Sequence, residues 1–303
     1  MDIAIANRHL GLVVTTTGGA VWRFVARRDG ADVPIFRAPP PGEARAALAA
    51  GCFPLVPFGN RVRANRFAVD GEEHRLEPNM EWDPHYLHGD GWTSEWSVVE
   101  AGDARIRLGL EHRGGGTPYA YAAEQSFVLD GPALTLGLSV TNLGPAALPF
   151  GLGWHPYFPL TPDTRLTART AAYWEEDRQW LPTLRRPTAG DLDFAEGRPL
   201  PRRWVNTLFE GWTGHAAIRW PERHLGIVLE ADPLFDRSLV FVSDPAFDPG
   251  YAYDFFCFEP MSHSIDGHNT PGGAGLRRLA PGETLAGRFR IALDPSPEEG
   301  RPA

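Results

Sequence analysis

Between Leu134 and Val140 every second residue is a large aliphatic: Leu134, Leu136, Leu138 and Val140, spaced by Thr135, Gly137 and Ser139. A period of two puts all four on one face of an extended strand, whereas a helix repeats every 3.6 residues. Ile106, Leu108 and Leu110 alternate with Arg105, Arg107 and Gly109, and Phe289, Ile291 and Leu293 repeat the pattern near the end. Shorter apolar runs stand at Leu12–Val14, Val21–Val25, Trp96–Val99, Ile227–Leu229 and Leu239–Val242. Turn clusters such as Asp130-Gly131-Pro132 and Asp248-Pro249-Gly250 separate the runs. Helix signal is confined to GEARAALAA at 42–50, which predicts two turns. The 33 glycines and 29 prolines argue against a helical bundle or solenoid. The chain predicts an all-β fold, a large antiparallel β-sandwich. No break in composition divides it, so residues 1–293 are expected to form one domain. The Pro/Glu-rich stretch 294–303 is expected to be a flexible tail.

The formal net charge is −9, against the basic character of nucleic-acid binders. All 29 basic residues are arginine. Without lysine there is no Schiff-base nucleophile, no pyridoxal anchor and no phosphate-loop lysine, and arginine does not deprotonate to replace one. The two cysteines, Cys52 and Cys257, have no zinc-type spacing and are too few for a disulfide scaffold, so both are expected to be reduced and buried. The first ten residues lack the charged and apolar regions of a signal peptide, and no apolar run approaches the roughly 20 residues that span a bilayer. A cytoplasmic protein with no membrane partner is the expectation.

Four segments depart from plain strand pattern. CFPLVPFGNRVRANRF at 52–67 has prolines and a glycine in an apolar run, then Asn60, Arg61, Arg63, Asn65 and Arg66. The planar fork of an arginine suits hydroxyl-rich or anionic ligands. DPHYLHGDGW at 83–92 holds His85 and His88 beside glycines that permit sharp turns. Its spacing does not match a zinc helix, and no third metal ligand stands nearby. In GLGWHPYF at 151–158, His155 precedes a proline, which biases its backbone to extended geometry. An imidazole held there suits acid or base work near neutral pH. The last segment is YDFFCFEPMSHSIDGHN at 253–269. On a strand, Phe255, Cys257 and Glu259 share one face and Phe256 and Phe258 the other. A carboxylate that continues an apolar face is costly without a purpose, and desolvation makes it a stronger base. Glu259 is therefore the leading candidate base.

In this order along the chain, FPLVPFGNRV, HYLHGDGW, GWHPYF and FEPMSHSIDGHN, with NTLFEGW as a fifth segment, resemble the aldose 1-epimerase (galactose mutarotase) family. The resemblance covers about Gly51 to Asn269. It implies a galactose mutarotase-like supersandwich with a sugar cleft, and interconversion of α and β anomers of an aldose without metal or cofactor. By motif it implies Glu259 as general base and His155 as general acid. It implies His88 near the ring oxygen and Arg61 on sugar hydroxyls. One position departs: where the family often has an Asp, three residues before the Phe of NTLFEGW, this chain has Asn206. An amide hydrogen-bonds but carries no charge.

Three readings follow. The first is a mutarotase, acting on a small-molecule sugar as a monomer or homodimer. Asn206, with Arg61 and Arg63, lowers the negative charge of the expected cleft, so its substrate is either a neutral hexose or a sulfonated, phosphorylated or carboxylated one. The second is a glycoside hydrolase pairing Glu259 with Asp254 or Asp266. The third is a non-catalytic sugar-binding module. Trp92, Trp154 and Trp212 stand in or beside the motifs as sugar-stacking or core residues.

Overall fold

The alternating segments form antiparallel strands packed as two large sheets. The structure is a computed structural model, and it describes residues 1–28, 30–40, 42 and 44–295. Among these residues one sheet has eleven strands and the other nine. Period-two patterning places the apolar face of each sheet inward, as in any sandwich. Leu134, Leu136, Leu138 and Val140 are all buried on Ala133–Asn142, which lies between Ala120–Asp130 and Thr284–Leu293 in the nine-stranded sheet. Their side chains join one continuous cluster with Leu10, Leu12, Val14 and Phe24 of the larger sheet. No helix is long and apolar enough to cross a membrane.

Five neighbouring strands in the middle of the larger sheet position the site. In chain order they are β1 (Cys52–Leu55), β2 (Gly153–Pro159), β3 (Val205–Glu210), β4 (Arg237–Val242) and β5 (Phe255–Met261). Their order across the sheet is β1-β2-β5-β4-β3. β2 and β5 are central, with Tyr157 opposite Cys257, and β5 also pairs Glu259 with Leu239 of β4. All seven residues of β2 and all seven of β5 are buried, so both faces are covered. One face packs on the core: Trp154 lies against Phe289 of the opposite sheet and Phe258 against Trp212. The other face carries His155, Tyr157, Phe255 and Glu259 into a cleft. The face assignment read from FFCFE therefore holds.

Two sequence expectations need correction. Among the described residues of GEARAALAA, 42 and 44–50, there is one 3-10 turn, at Ala47–Ala49, and not the two helical turns expected. A short segment that follows Pro41 in the sequence and precedes Gly51 gains too few hydrogen bonds to offset the cost of helix nucleation. The tail does not begin to fray at Asp294: that residue is buried, its N–H donates to the Gly226 carbonyl, and Arg219 pairs with its carboxylate at 3.1 Å. The rest of the expected tail, 296–303, lies outside the described residues.

Trp154 fills the space between the sheets, directly beneath the cleft. Trp154→Ala is expected to cost about 3–5 kcal/mol in denaturant unfolding. A loss under about 1 kcal/mol would contradict its place in the shared core.

Candidate active site

The cleft has a volume of about 240 Å³ and is lined by Glu259, His155, His88, Arg61 and Asn206 together. Five residues spread over 199 positions of chain thus meet at one hollow. Its size is just below the roughly 300 Å³ at which drug-sized pockets begin, which suits a monosaccharide.

At its floor His155 Nε2 lies 3.2 Å from Glu259 Oε1. Glu259 is 1% exposed and His155 8%. Burial pushes the Glu259 carboxyl well above its ordinary range, with Arg61 pulling weakly the other way. Burial also pushes the His155 imidazole down, to about 3. Desolvation thus disfavours charge on both. The 3.2 Å contact sets the two groups within reach of one shared proton. Phe53 stacks on the His155 ring at 4.6 Å and fixes its plane. Glu259 Oε2 and His155 Nδ1 are buried without a hydrogen-bond partner.

The GNR and HG segments lock each other. The Asn60 N–H donates to His88 Nδ1 at 3.0 Å, and the His88 N–H donates to the Asn60 carbonyl at 3.0 Å. With Nδ1 accepting, the ring proton sits on Nε2, so His88 is a donor. Burial pushes this imidazole well down and keeps it neutral. The turn requires Gly89: its φ is 69° and a Cβ there would stand 2.5 Å from the Val56 carbonyl oxygen. Arg61 pairs with Asp83 through Nε at 2.9 Å and Nη2 at 2.8 Å, and Asp83 is fully covered. This anchor leaves the outer edge of the guanidinium on the cleft. His85 sits behind, its Nδ1 accepting from the Ala64 N–H.

On the far wall Asn206 Nδ2 donates to Glu176 Oε2 at 2.6 Å, and Trp204 Nε1 donates to Glu176 Oε1 at 2.6 Å. Burial pushes the Glu176 carboxyl up, against these two hydrogen bonds, which favour its ionised form. Arg63 is not part of the cleft: its half-exposed side chain pairs with Asp266 at 3.0 Å.

A family profile described as aldose 1-epimerase matches residues 1–292. The protein YphB of Escherichia coli K12 is 47% identical over 291 residues, which are 96% of this chain and 98% of that one. A crystal structure of a candidate aldose 1-epimerase from Escherichia coli K12 has a TM-score of 0.91 at 45% identity, covering 97% of this chain and 99% of that one. The chain belongs to the aldose 1-epimerase family. It is thus a member of a family of isomerases. A galactose mutarotase-like protein from Clostridium acetobutylicum shares the fold, with a TM-score of 0.82 at 17% identity, covering 96% and 94% of the two chains.

This aldose 1-epimerase family member lines its cleft with residues that no motif disclosed. Trp82, Trp204, Phe241 and Phe247 form an aromatic rim, and Trp82 is 48% exposed. By contrast Trp92, Trp154 and Trp212 are core: none lines the cleft, and Trp92 donates its Nε1–H to the Leu87 and Gly89 carbonyls. Arg37 reaches the cleft from outside all five motifs. Its guanidinium lies 3.9 Å from the Tyr157 ring centre and 4.5 Å from that of Phe255, and its Nε is buried without a partner. Set between Ile35-Phe36 and Ala38-Pro39-Pro40, Arg37 stands in an apolar and proline-rich stretch that gave no signal; only the fold brings it here. Among the described residues, one cluster has metal-ligand character: atoms of His155, Cys257 and Glu259 within 4.8 Å of one another. Burial pushes the Cys257 thiol up, so the thiol form is the one present.

Removing Asp83 strands a buried guanidinium. Asp83→Ala is expected to lower stability by about 3–5 kcal/mol, as breaking one side of a buried pair does. Urea unfolding checks this, and a change under about 1 kcal/mol would mean that solvent reaches Arg61 freely.

Proposed function

We propose that this protein interconverts the α and β anomers of a hexose by acid/base opening and reclosure of the ring. The observation that carries the reading is the 3.2 Å contact between His155 and Glu259 on the cleft floor. In a hemiacetal the two oxygens that exchange protons, O1 and O5, are bonded to the same carbon. An acid and a base that serve both must therefore stand close together, as these do.

Glu259 takes the O1 proton as the O1–C1 double bond forms. The electron pair of the C1–O5 bond goes to O5, which takes the proton from His155. His88, with its Nε2–H on the cleft, supports the charge developing on the ring oxygen. Arg61 and Asn206 hold hydroxyls. The aldehyde rotates about C1–C2, and reclosure runs the same steps backwards with the acid and base exchanged. No electrons leave the sugar, so the chemistry needs no redox cofactor.

The two rival readings fare worse. A glycoside hydrolase needs two carboxylates about 5–10 Å apart across the bond. Neither Asp254, which is exposed, nor Asp266, which is tied to Arg63, lines the cleft; Asp248 does, but at the rim beside Phe247, where its Oδ1 accepts from the Gly250 N–H. A binding module has no use for a desolvated acid–base pair. On substrate, a neutral hexose fits best, because Arg61 is matched by Asp83, Arg63 is elsewhere, and the Glu176 carboxylate stands behind Asn206. One observation favours the anionic class: Arg37 is a cleft cation with no acidic partner among the described residues. Anomer exchange on glucose, galactose and an anionic hexose separates the two, and faster exchange on the anionic sugar, lost in Arg37→Ala, would establish the second.

For the reaction itself, NMR of a freshly dissolved pure anomer is the test. Wild type is expected to accelerate exchange, and Glu259→Gln to lose about 10²–10⁴ of that acceleration. A variant as fast as wild type would overturn the assignment of the base.

The pH dependence follows from the shifts. The active pair carries one mobile proton, so kcat/KM is expected to fall as pH rises through the raised ionisation of Glu259. Stability follows the same sign. A carboxyl whose folded pKa is raised stabilises the fold below the unfolded value and loses that contribution as pH rises through the folded one. The melting temperature of Glu259→Gln is therefore expected to gain on wild type toward alkaline pH. A constant difference between them across pH would contradict the desolvated state of the carboxylate.

A further inference from the structure

Glu176 does not line the cleft, yet it holds two residues that do. It ends the strand Ala172–Glu176, where the pairing with Pro182–Pro187 slips between Trp174 and Glu176. Such a bulge re-aims the following side chain. The carboxylate here is turned toward Val205–Glu210 and receives two hydrogen bonds, one oxygen from the Trp204 indole and the other from the Asn206 amide, each at 2.6 Å. An ionised carboxylate only accepts, so it dictates the amide orientation: Nδ2 must face Glu176 and Oδ1 must face away. Asn206 lines the cleft.

The geometry points to Glu176 as the residue that sets substrate specificity from behind, by fixing Asn206 as a hydrogen-bond acceptor toward the sugar. This rests on the mutarotase reading and narrows its substrate: at the point facing Asn206 Oδ1 the sugar must carry a free hydroxyl that donates. A deoxy, fluoro or O-alkyl group there cannot. The arrangement also accounts for an amide where the family often has an acid. The negative charge is retained, one residue deeper, and the cleft sees an acceptor that carries none. Glu176 is a positioning residue, since it acts through Asn206 and Trp204.

The substitutions that test this have opposite, calculable effects on the hydrogen-bond pattern. In Glu176→Gln the new Oε1 still accepts from Trp204, but Nε2–H now donates toward residue 206, so the Asn206 amide turns over and presents Nδ2–H to the sugar. In Asn206→Asp two carboxylates face each other. In the double variant Glu176→Gln/Asn206→Asp every donor regains an acceptor: Trp204 to Gln Oε1, and Gln Nε2–H to the Asp carboxylate.

The experiment measures hexose Kd by calorimetry, KM and kcat by NMR anomer exchange, and melting temperature. The panel is the four proteins with the best hexose and its monodeoxyfluoro analogues. Wild type is expected to lose about 5–20-fold in affinity when fluorine replaces one particular hydroxyl, the cost of one unmade hydrogen bond. Glu176→Gln is expected to tolerate that same analogue, because its turned amide donates. Asn206→Asp is expected to raise KM for the parent hexose about 10-fold or more with kcat little changed, and the double variant to return within about 3-fold of wild type. A merely structural role for Glu176 would lower melting temperature without altering which analogue is rejected. An unchanged fluorine profile in Glu176→Gln, or no recovery in a folded double variant, overturns the proposal. A wild type that binds hexoses and shows the fluorine profile without exchanging anomers would overturn the function reading and leave this inference standing. A wild type that binds no hexose would overturn both.

Discussion

The contact between the His155 imidazole and the Glu259 carboxyl is the constraint that the rest of the molecule serves. Each group is held out of water on the inner strands of a sheet covered on both faces, and each is pushed by that burial toward its neutral form. In water the proton would reside with the imidazole and the carboxylate would be a weak base. Desolvation disfavours the charged form of both, and the short contact sets the imidazole and the carboxyl within reach of one proton. No stabilising role for the fold requires such a pair. The larger sheet supports it by rigidity: Trp154 and Phe258, alternating with these two residues on the same strands, are wedged into the shared core.

The second support is the segment that follows Glu259 in the chain. His263 is neutral, with burial pushing it down to about 4; its Nδ1–H faces the Ser264 carbonyl at 2.9 Å, and its Nε2 accepts the Gly59 N–H at 2.9 Å. Gly151 has no room for a side chain, since a Cβ would stand 2.0 Å from the His263 ring. Asp266 donates its N–H to the Arg61 carbonyl and accepts from the Arg63 N–H. These bonds fix the Asn60–Arg61 turn, which in turn fixes the tautomer of His88. The segment SHSIDGHN therefore holds the Asn60–Arg61 loop in register with Glu259.

Much of this is legible in the amino-acid order because it is local. The two-residue period of Leu134 to Val140 states which face is buried, and the run FFCFE puts a carboxylate on a face with Phe255 and Cys257, as found. Other features are set by contacts between distant residues, which local pattern does not encode. Arg63 reads as Arg61 does, yet one pairs with Asp266, about two hundred residues later, and the other with Asp83 inside the cleft wall. Three tryptophans beside the motifs proved to be core, whereas Trp82 and Trp204 reach the cleft through loops and strand ends with no motif of their own. Glu176 lies in the charged run Glu175-Glu176-Asp177-Arg178, outside every motif segment. Its role appears once Asn206, thirty residues on, is folded against it.

Soaking a hexose into crystals of Glu259→Gln, or of wild type, tests the account most directly. The account predicts a single sugar whose anomeric O1 and ring O5 both lie within hydrogen-bond distance of residues 155 and 259, inserted where these two side chains now touch. A sugar seated only on the aromatic rim of Trp82 and Phe247, with the floor pair still in contact beneath it, would contradict that account.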